Sequence, residues 1–144
     1  MKEATVTWLA RMSFDAQMDG HHVLMDARGA EGDDRGPTPV DLLLAAVAGC
    51  TAMDVVSILR KKRQPFTGLV VRATGERAEG HPYRFTHVEL TYEVHGAGVD
   101  LSAVERAVEL SDEKYCSVSA TLREPTRVTT RVVLVEEGAP DTGD

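Results

Sequence analysis

Polar and apolar residues alternate along three short segments at the start of the chain. This period of two predicts strands over residues 4–10, 12–17 and 22–26. The pair Asp19-Gly20 predicts a tight turn between the second and third strands. The next residues, 27–38, are rich in Gly, Asp and Arg, which indicates an exposed loop.

The pattern then changes to that of one long helix over residues 38–63. Thr38 is a typical N-cap residue, Pro39 suits the first helical position, and Asp41 provides an acid three residues after the cap. The first half of the segment is apolar on every face, which is typical of a helix buried on most sides. The basic run at 60–63 complements the negative end of the helix dipole.

The second half of the chain returns to strands. Residues 69–77 and 85–95 predict an antiparallel hairpin, because apolar and polar residues alternate cleanly along the second segment. A second helix is predicted from Asp100, with Leu101, Val104, Val108 and Leu110 on its apolar face, and a closing strand is predicted over 127–135. This order of elements predicts an α+β fold with an antiparallel sheet around a long buried central helix.

The long helix is too apolar for one sheet and one shorter helix to cover. A homodimer that sandwiches two such helices between two sheets would supply the missing cover. We therefore expect a single domain over residues 1–137 that pairs with a second copy of itself. A disordered tail is expected over residues 138–144, which are rich in Gly, Pro and Asp.

Composition and charge narrow the classes of function. The chain has 144 residues and a formal net charge of −7. This acidic balance argues against nonspecific binding of nucleic acid, which needs clustered cations. No apolar run reaches the roughly 20 residues of a membrane span, and the N-terminus leads directly into a strand pattern. We therefore expect a soluble cytoplasmic protein with no nucleic-acid or membrane partner, in which thiols stay reduced.

The candidate chemistry lies in the only two cysteines, Cys50 and Cys116. Cys50 falls within the apolar helix, where a thiol often serves as a small buried residue. Cys116 follows a charged stretch near a helix break, and a thiol close to a helix start can have a lowered pKa. Two cysteines are too few for a zinc site unless His or carboxylate residues assist. The residues themselves leave two interpretations open, buried packing residues or a redox pair.

Two segments resemble the cysteine motifs of the OsmC/Ohr family, the osmotically inducible and organic-hydroperoxide-resistance proteins. They are GPTPVDLLLAAVAGCTAMDVV over residues 36–56 and LSDEKYCSV over residues 110–118. The likeness covers nearly the whole chain and is closest to the branch of small, uncharacterised bacterial OsmC-like proteins. It implies an intertwined homodimer in which each subunit's sheet wraps around paired central helices.

The resemblance also implies a thiol peroxidase that reduces organic hydroperoxides in defence against oxidative stress. Cys50 would be the peroxidatic residue that becomes a sulfenic acid, and Cys116 the resolving residue that closes a disulfide. A dithiol, such as a protein-bound lipoyl group, would act as the reductant, with no metal or other cofactor. The alternative is a non-catalytic or redox-sensing dimer that binds a small apolar or sulfur-containing ligand.

One part of the family's site differs in this sequence. The peroxidase members activate the thiolate with an Arg from the N-terminal hairpin and a Glu directly after the proline that opens the helix. Val40 stands at the Glu position, and the acid comes one residue later at Asp41, about 100° further around a helix. Asp41 fits a capping acid equally well. Arg11 lies in the comparable hairpin, with Arg28 and Arg35 as alternatives. The candidate catalytic residues are therefore Cys50, Cys116, Arg11 and Asp41.

Overall fold

The N-terminal strands form an antiparallel sheet in the order β1-β2-β3 of the computed structural model, which describes residues 1–136. The strands are β1 (Thr5–Ala10), β2 (Ser13–Met18) and β3 (His21–Met25). Asp19 and Gly20 have positive φ angles of 49° and 79°, as a two-residue hairpin turn requires. All three predicted strands are confirmed, with bounds shifted by at most one residue. The tail predicted over 138–144 lies outside the described residues.

Helix α1 (Pro39–Lys61) starts where its capping signals predict. The Thr38 hydroxyl accepts a hydrogen bond from the Asp41 backbone N–H, and the Asp41 carboxylate accepts one from the Thr38 N–H, each at 3.2 Å. This reciprocal pair satisfies backbone groups that a helix start leaves without partners. The helix ends before the predicted Arg63, whose φ of 57° lies outside the helical range.

A second antiparallel hairpin and helix α2 cover one side of α1. The hairpin joins β4 (Gly68–Arg77) to β5 (Phe85–His95), and α2 spans Leu101–Leu110. Residues of α1 at a spacing of four share one stripe of the helix. The buried residues of that stripe are Val47, Thr51, Val55 and Leu59. The last two form a core cluster with three residues of α2: Ala103, Val104 and Ala107.

Two short helical segments follow α2 and surround the second cysteine. A π-helical turn spans Ser111–Tyr115, and α3 spans Ser117–Arg123. The sequence predicts a break at Ser111-Asp112, and the π-helical turn begins at that point. Such turns often occur next to functional residues, because they change the direction in which side chains project.

Some features of the predicted fold need correction. Residues 127–135 form no strand, and Val128 and Leu134 are 82% and 93% exposed. A strand requires a neighbouring strand for its backbone groups, and the described chain offers none to this segment. Leu101 lies on the exposed side of α2, whereas Val104, also predicted on the apolar face, is buried together with Ala103 and Ala107. Within residues 1–136, the five strands form two antiparallel sheets rather than one.

Helix α1 is long and apolar enough to meet the length and composition of a membrane span, contrary to the expectation from the sequence. The core helix of a soluble protein meets the same criteria. Met53 is 75% exposed and Leu43 is 40% exposed, although both belong to this apolar helix. One chain alone therefore leaves much of α1 without the cover that its composition requires.

Candidate functional site

Helix α1 carries Cys50 and Asp54 one turn apart on the same face. Residues four apart in a helix lie above one another, so both side chains project toward the same neighbours. Both residues are half-buried. Thr51 follows Cys50 and is buried toward β5 and the π-helical turn. The helix thus presents a thiol and a carboxylate together at the edge of the core.

Cys116 caps the start of α3 and is almost completely buried, at 4% exposure. Its thiolate or thiol sulfur accepts a hydrogen bond from the Ser119 backbone N–H at 3.4 Å. Its own N–H donates to the Ser111 carbonyl at 2.8 Å, which closes the π-helical turn. The position of Cys116 near a helix start, expected from the sequence, is confirmed.

The fold brings Cys50, Asp54 and Cys116 together from two helices. Their two sulfurs and a carboxylate oxygen all lie within 4.8 Å of one another. Both thiols are free, so the cysteines are neighbours and not a disulfide. A disulfide requires sulfurs about 2.05 Å apart. A small movement of the two sulfur atoms toward each other would therefore allow a disulfide to form.

The environment of Cys50 favours its thiolate. A hydrogen bond from the Val118 backbone N–H lowers the pKa of Cys50 below its ordinary value of 9.0, and burial of the sulfur opposes this effect. The Cys116 thiol and the hydroxyl and backbone of Ser117 lower the pKa further. Amides in the first turn of a helix have no helical partner and can stabilise an anion. The groups that activate Cys50 within the chain are therefore mainly the first residues of α3.

Three buried or half-buried hydroxyls form a chain that ends at Asp54. The Ser111 hydroxyl donates to Asp54 Oδ2 at 2.9 Å. Because Ser111 has one hydroxyl proton, it must accept from the Thr51 hydroxyl, 2.8 Å away. Thr51 must then accept from the Tyr92 hydroxyl, also 2.8 Å away. The direction of every hydrogen bond in the chain is therefore fixed by Asp54.

Tyr92 lies at the far end of this hydroxyl chain. Burial raises the pKa of Tyr92, and nearby negative groups, Asp54 among them, raise it further, while its hydrogen bond to Thr51 has the opposite effect. Tyr92 is therefore a proton donor to Thr51 at physiological pH. No local sequence pattern predicts this chain, because its members come from α1, β5 and the π-helical turn.

The contacts of the other two candidate residues lie in the loop before α1. Arg11 forms an ion pair with Asp33, Nε to Oδ2 at 3.3 Å, and donates to the Ala30 carbonyl at 3.1 Å. Asp41 serves the capping box, and its hydrogen bonds to Thr38 lower its pKa. Neither residue is among the main groups that set the pKa of Cys50. The described chain therefore brings Cys50 to Cys116 but gives Arg11 and Asp41 other partners.

The alternative arginines also have other partners. Arg28 pairs with Asp34 at 3.4 Å and lies 4.0 Å from Asp41. The Arg35 backbone N–H donates to the buried Asp26 carboxylate at 3.2 Å. Burial raises the pKa of Asp26, but its backbone hydrogen bonds outweigh burial and lower it overall. These contacts stabilise the loop that leads into α1.

A groove on the described chain runs along another side of α1. It has a volume of about 680 Å³ and includes Met53, Val56, Phe66 and Leu69 among its lining residues. Neither cysteine lines this groove. The groove is therefore separate from the two thiols.

Comparison with known proteins gives consistent matches over most of the chain. Residues 32–131 match the family described as OsmC-like protein. The chain is 43% identical over 128 residues to Protein YhfA of Escherichia coli strain K12, which covers 88% of this chain and 93% of that protein. The crystal structure of a hypothetical protein from Aquifex aeolicus VF5 superposes with a TM-score of 0.76 at 32% identity, covering 85% of this chain and 87% of that chain.

A more distant structural neighbour is a Legionella pneumophila protein. It is described as an organic hydroperoxide resistance protein OsmC, predicted redox protein and regulator of sulfide bond formation. It superposes with a TM-score of 0.60 at 15% identity, covering 85% of this chain and 89% of that chain. At 15% identity, this structural similarity shows that the two proteins share a fold.

Proposed function

The chain belongs to the OsmC-like protein family, as its cysteine motifs predict, and on this premise we propose that it reduces organic hydroperoxides through a Cys50/Cys116 redox pair. The observation that carries the proposal is the proximity of the two thiols, which with Asp54 lie within 4.8 Å. The lowered pKa of Cys50 supports its assignment as the peroxidatic residue. The hydroperoxide resistance described for the Legionella protein is consistent with this chemistry.

The proposed reaction has two thiol steps. The Cys50 thiolate attacks one peroxide oxygen, the O–O bond breaks, and the alkoxide leaves and takes up a proton to become an alcohol. Cys50 is then a sulfenic acid. The Cys116 thiolate attacks the Cys50 sulfur, a disulfide forms, and the hydroxyl group leaves as water after protonation. A dithiol such as a lipoyl group reduces the disulfide through a mixed disulfide and is itself oxidised.

We further propose that the amides of α3 replace part of the activation that an Arg–Glu pair gives other family members. The backbone groups of Val118 and Ser117 lower the pKa of Cys50. No cation is among the main groups that set this pKa. Arg11 and Asp41 remain candidate catalytic residues, with roles that require contacts beyond those in one chain. This assignment fits Val40, which offers no carboxylate at the start of the helix.

We propose that the working form is a homodimer. The exposed apolar side of α1, with Met53 at 75% exposure, requires cover that one chain does not supply. The segment 127–135, with Leu134 at 93% exposure, offers a further exposed stretch rich in apolar residues that a second copy could cover. Light scattering after size-exclusion chromatography tests this directly, because a mass of about twice 15.6 kDa is expected.

Stopped-flow measurement of cumene hydroperoxide reduction tests the enzymatic proposal. The wild-type protein should consume the peroxide with a dithiol as reductant, and Cys50→Ser should abolish the reaction. Hydrogen peroxide serves as the comparison substrate. Equal rates for wild type and Cys50→Ser would sink the proposal. Rapid oxidation of Cys50 without turnover by dithiothreitol or dihydrolipoamide would instead favour the redox-sensing alternative.

A further inference from the structure

We infer that Cys50, Asp54 and Cys116 form a binding site for a thiophilic divalent metal ion, with zinc as the best match. The inference concerns the reduced protein and does not depend on peroxidase activity. Two cysteines can form such a site only if a His or carboxylate residue supplies a further ligand. Asp54 meets that condition.

The positions of the donor atoms match the size of a tetrahedral zinc site. Cys50 and Asp54 project from one face of α1 at positions i and i+4, and Cys116 approaches from the start of α3. All three donor atoms lie within 4.8 Å of one another. Two sulfurs bound to a tetrahedral zinc ion at 2.3 Å lie about 3.8 Å apart. Shifts smaller than about 1 Å would therefore complete the three-ligand geometry.

Hydrogen bonds from neighbouring groups already orient the proposed ligands. Ser111 donates to Asp54 Oδ2 and is itself held by Thr51 and Tyr92, so the hydroxyl chain fixes one carboxylate oxygen. Among residues 1–136, Oδ1 has no hydrogen-bond partner. The Ser119 N–H donates to the Cys116 sulfur at 3.4 Å. Partners of this kind orient metal ligands and contribute to metal affinity. The site therefore has both the donor atoms and their supporting contacts.

The charge of the site also favours a cation. Two thiolates and a carboxylate would bring three negative charges into a partly buried space. In the described part of the chain Asp54 takes part in no ion pair, and its one hydrogen bond comes from Ser111. A divalent ion with two thiolate ligands would compensate most of this charge. Soft sulfur ligands select zinc or similar ions over magnesium and calcium.

Metal binding at this position has a consequence for the proposed redox reaction. The ion would occupy the same two sulfurs that form the disulfide, so metal binding and disulfide formation would exclude each other. This consequence rests on the proposed function, whereas metal binding itself does not. Bound zinc would protect the thiols from oxidation until the metal leaves.

Titration of the reduced, metal-free full chain with Co²⁺ and Zn²⁺ tests the inference. Co²⁺ should give thiolate-to-cobalt charge-transfer absorption with about one equivalent bound, and Zn²⁺ should displace it. Cys50→Ser and Cys116→Ser should each weaken or remove this absorption. Asp54→Asn should lower zinc affinity by about tenfold or more, measured against a chromophoric chelator. Asp112→Asn is the matched control, since its carboxylate pairs with Arg123 and should leave affinity unchanged.

A gain-of-affinity variant guards against loss of folding. Asp54→Cys supplies a third thiolate at the same position and should bind zinc more tightly than the wild type. The absence of thiolate-to-cobalt absorption in the wild type would overturn the inference, as would wild-type zinc affinity in both Asp54 variants. Peroxide oxidation of the metal-free protein is measured separately, so failure of metal binding leaves the proposed function intact.

Discussion

Replacement of Val118 by proline should slow the reaction of Cys50 with iodoacetamide at neutral pH. The Val118 backbone N–H is the group that lowers the pKa of Cys50 most. Proline removes this N–H at the second position of α3, where no intrahelical hydrogen bond is lost. The pKa of Cys50 should therefore rise, and less thiolate should be present at pH 7.

The expected size of the effect follows from the strength of one hydrogen bond to a charged group. Such a bond contributes about 1.5–3 kcal/mol. Cys50 is half-buried, so water screens the interaction and the lower end of this range applies. At 1.4 kcal/mol for each factor of ten, alkylation should slow by about tenfold at pH values below the pKa of Cys50.

The assay follows carbamidomethylation of Cys50 by peptide mass spectrometry from pH 5 to about pH 10, a range that spans ordinary thiol pKa values. The rate of the wild-type protein should rise with pH to a plateau, with its midpoint below the ordinary pKa of 9.0. The curve for Val118→Pro should shift to higher pH. Val118→Ala is the matched control, because it removes side-chain packing but keeps the N–H. An unshifted Val118→Pro curve in a folded protein, or an equal shift in Val118→Ala, would refute the reasoning.

The remaining predictions concern stability and the hydroxyl chain. Leu59→Ala should lower the free energy of unfolding by about 2–5 kcal/mol in urea denaturation, since Leu59 is fully buried in the core; a loss below about 1 kcal/mol would contradict the core assignment. Thr38→Ala should cost about 0.5–2 kcal/mol in the same assay, because it removes the cap of α1. Ser111→Ala should cost about 1–3 kcal/mol, because Thr51 and Asp54 would each lose a buried hydrogen-bond partner; an unchanged midpoint would show that water replaces the hydroxyl.

The start of α1 was predictable because its signals are local in sequence. Thr38, Pro39 and Asp41 act within one turn, and the structure forms the expected reciprocal hydrogen bonds. The strands of both hairpins were predictable for a similar reason, since alternation and turn residues are short-range features. The capping role of Asp41 is confirmed, whereas its catalytic role remains a prediction.

The closing strand at 127–135 was not predictable from local pattern. Its residues have the composition of a strand, but a strand exists only where another strand pairs with it. No segment within residues 1–136 takes that place, and the side chains of Val132 and Leu134 stay exposed. Alternating apolar and polar residues indicate that one face of a segment is buried. They do not indicate which segment or chain provides the neighbouring strand.

The candidate site shows the same division between local and long-range information. The motifs around Cys50 and Cys116 identify the thiols, but they do not indicate that Ser111 and Tyr92 act on the same carboxylate. Thr51 and Tyr92 are separated by 41 positions in the sequence, and Asp54 and Ser111 by 57. Only the packing of α1 against β5 and the π-helical turn brings them together.

The most direct test of the account is the mass of the protein after one equivalent of cumene hydroperoxide. The reduced chain should lose two hydrogens, and peptide mapping should find a single Cys50–Cys116 disulfide. Cys116→Ser should instead accumulate a sulfenic acid at Cys50, trapped by dimedone. A wild-type protein that keeps both thiols reduced, or that gains oxygen at Cys50 without forming the disulfide, would contradict the central claim that these cysteines act as a redox pair.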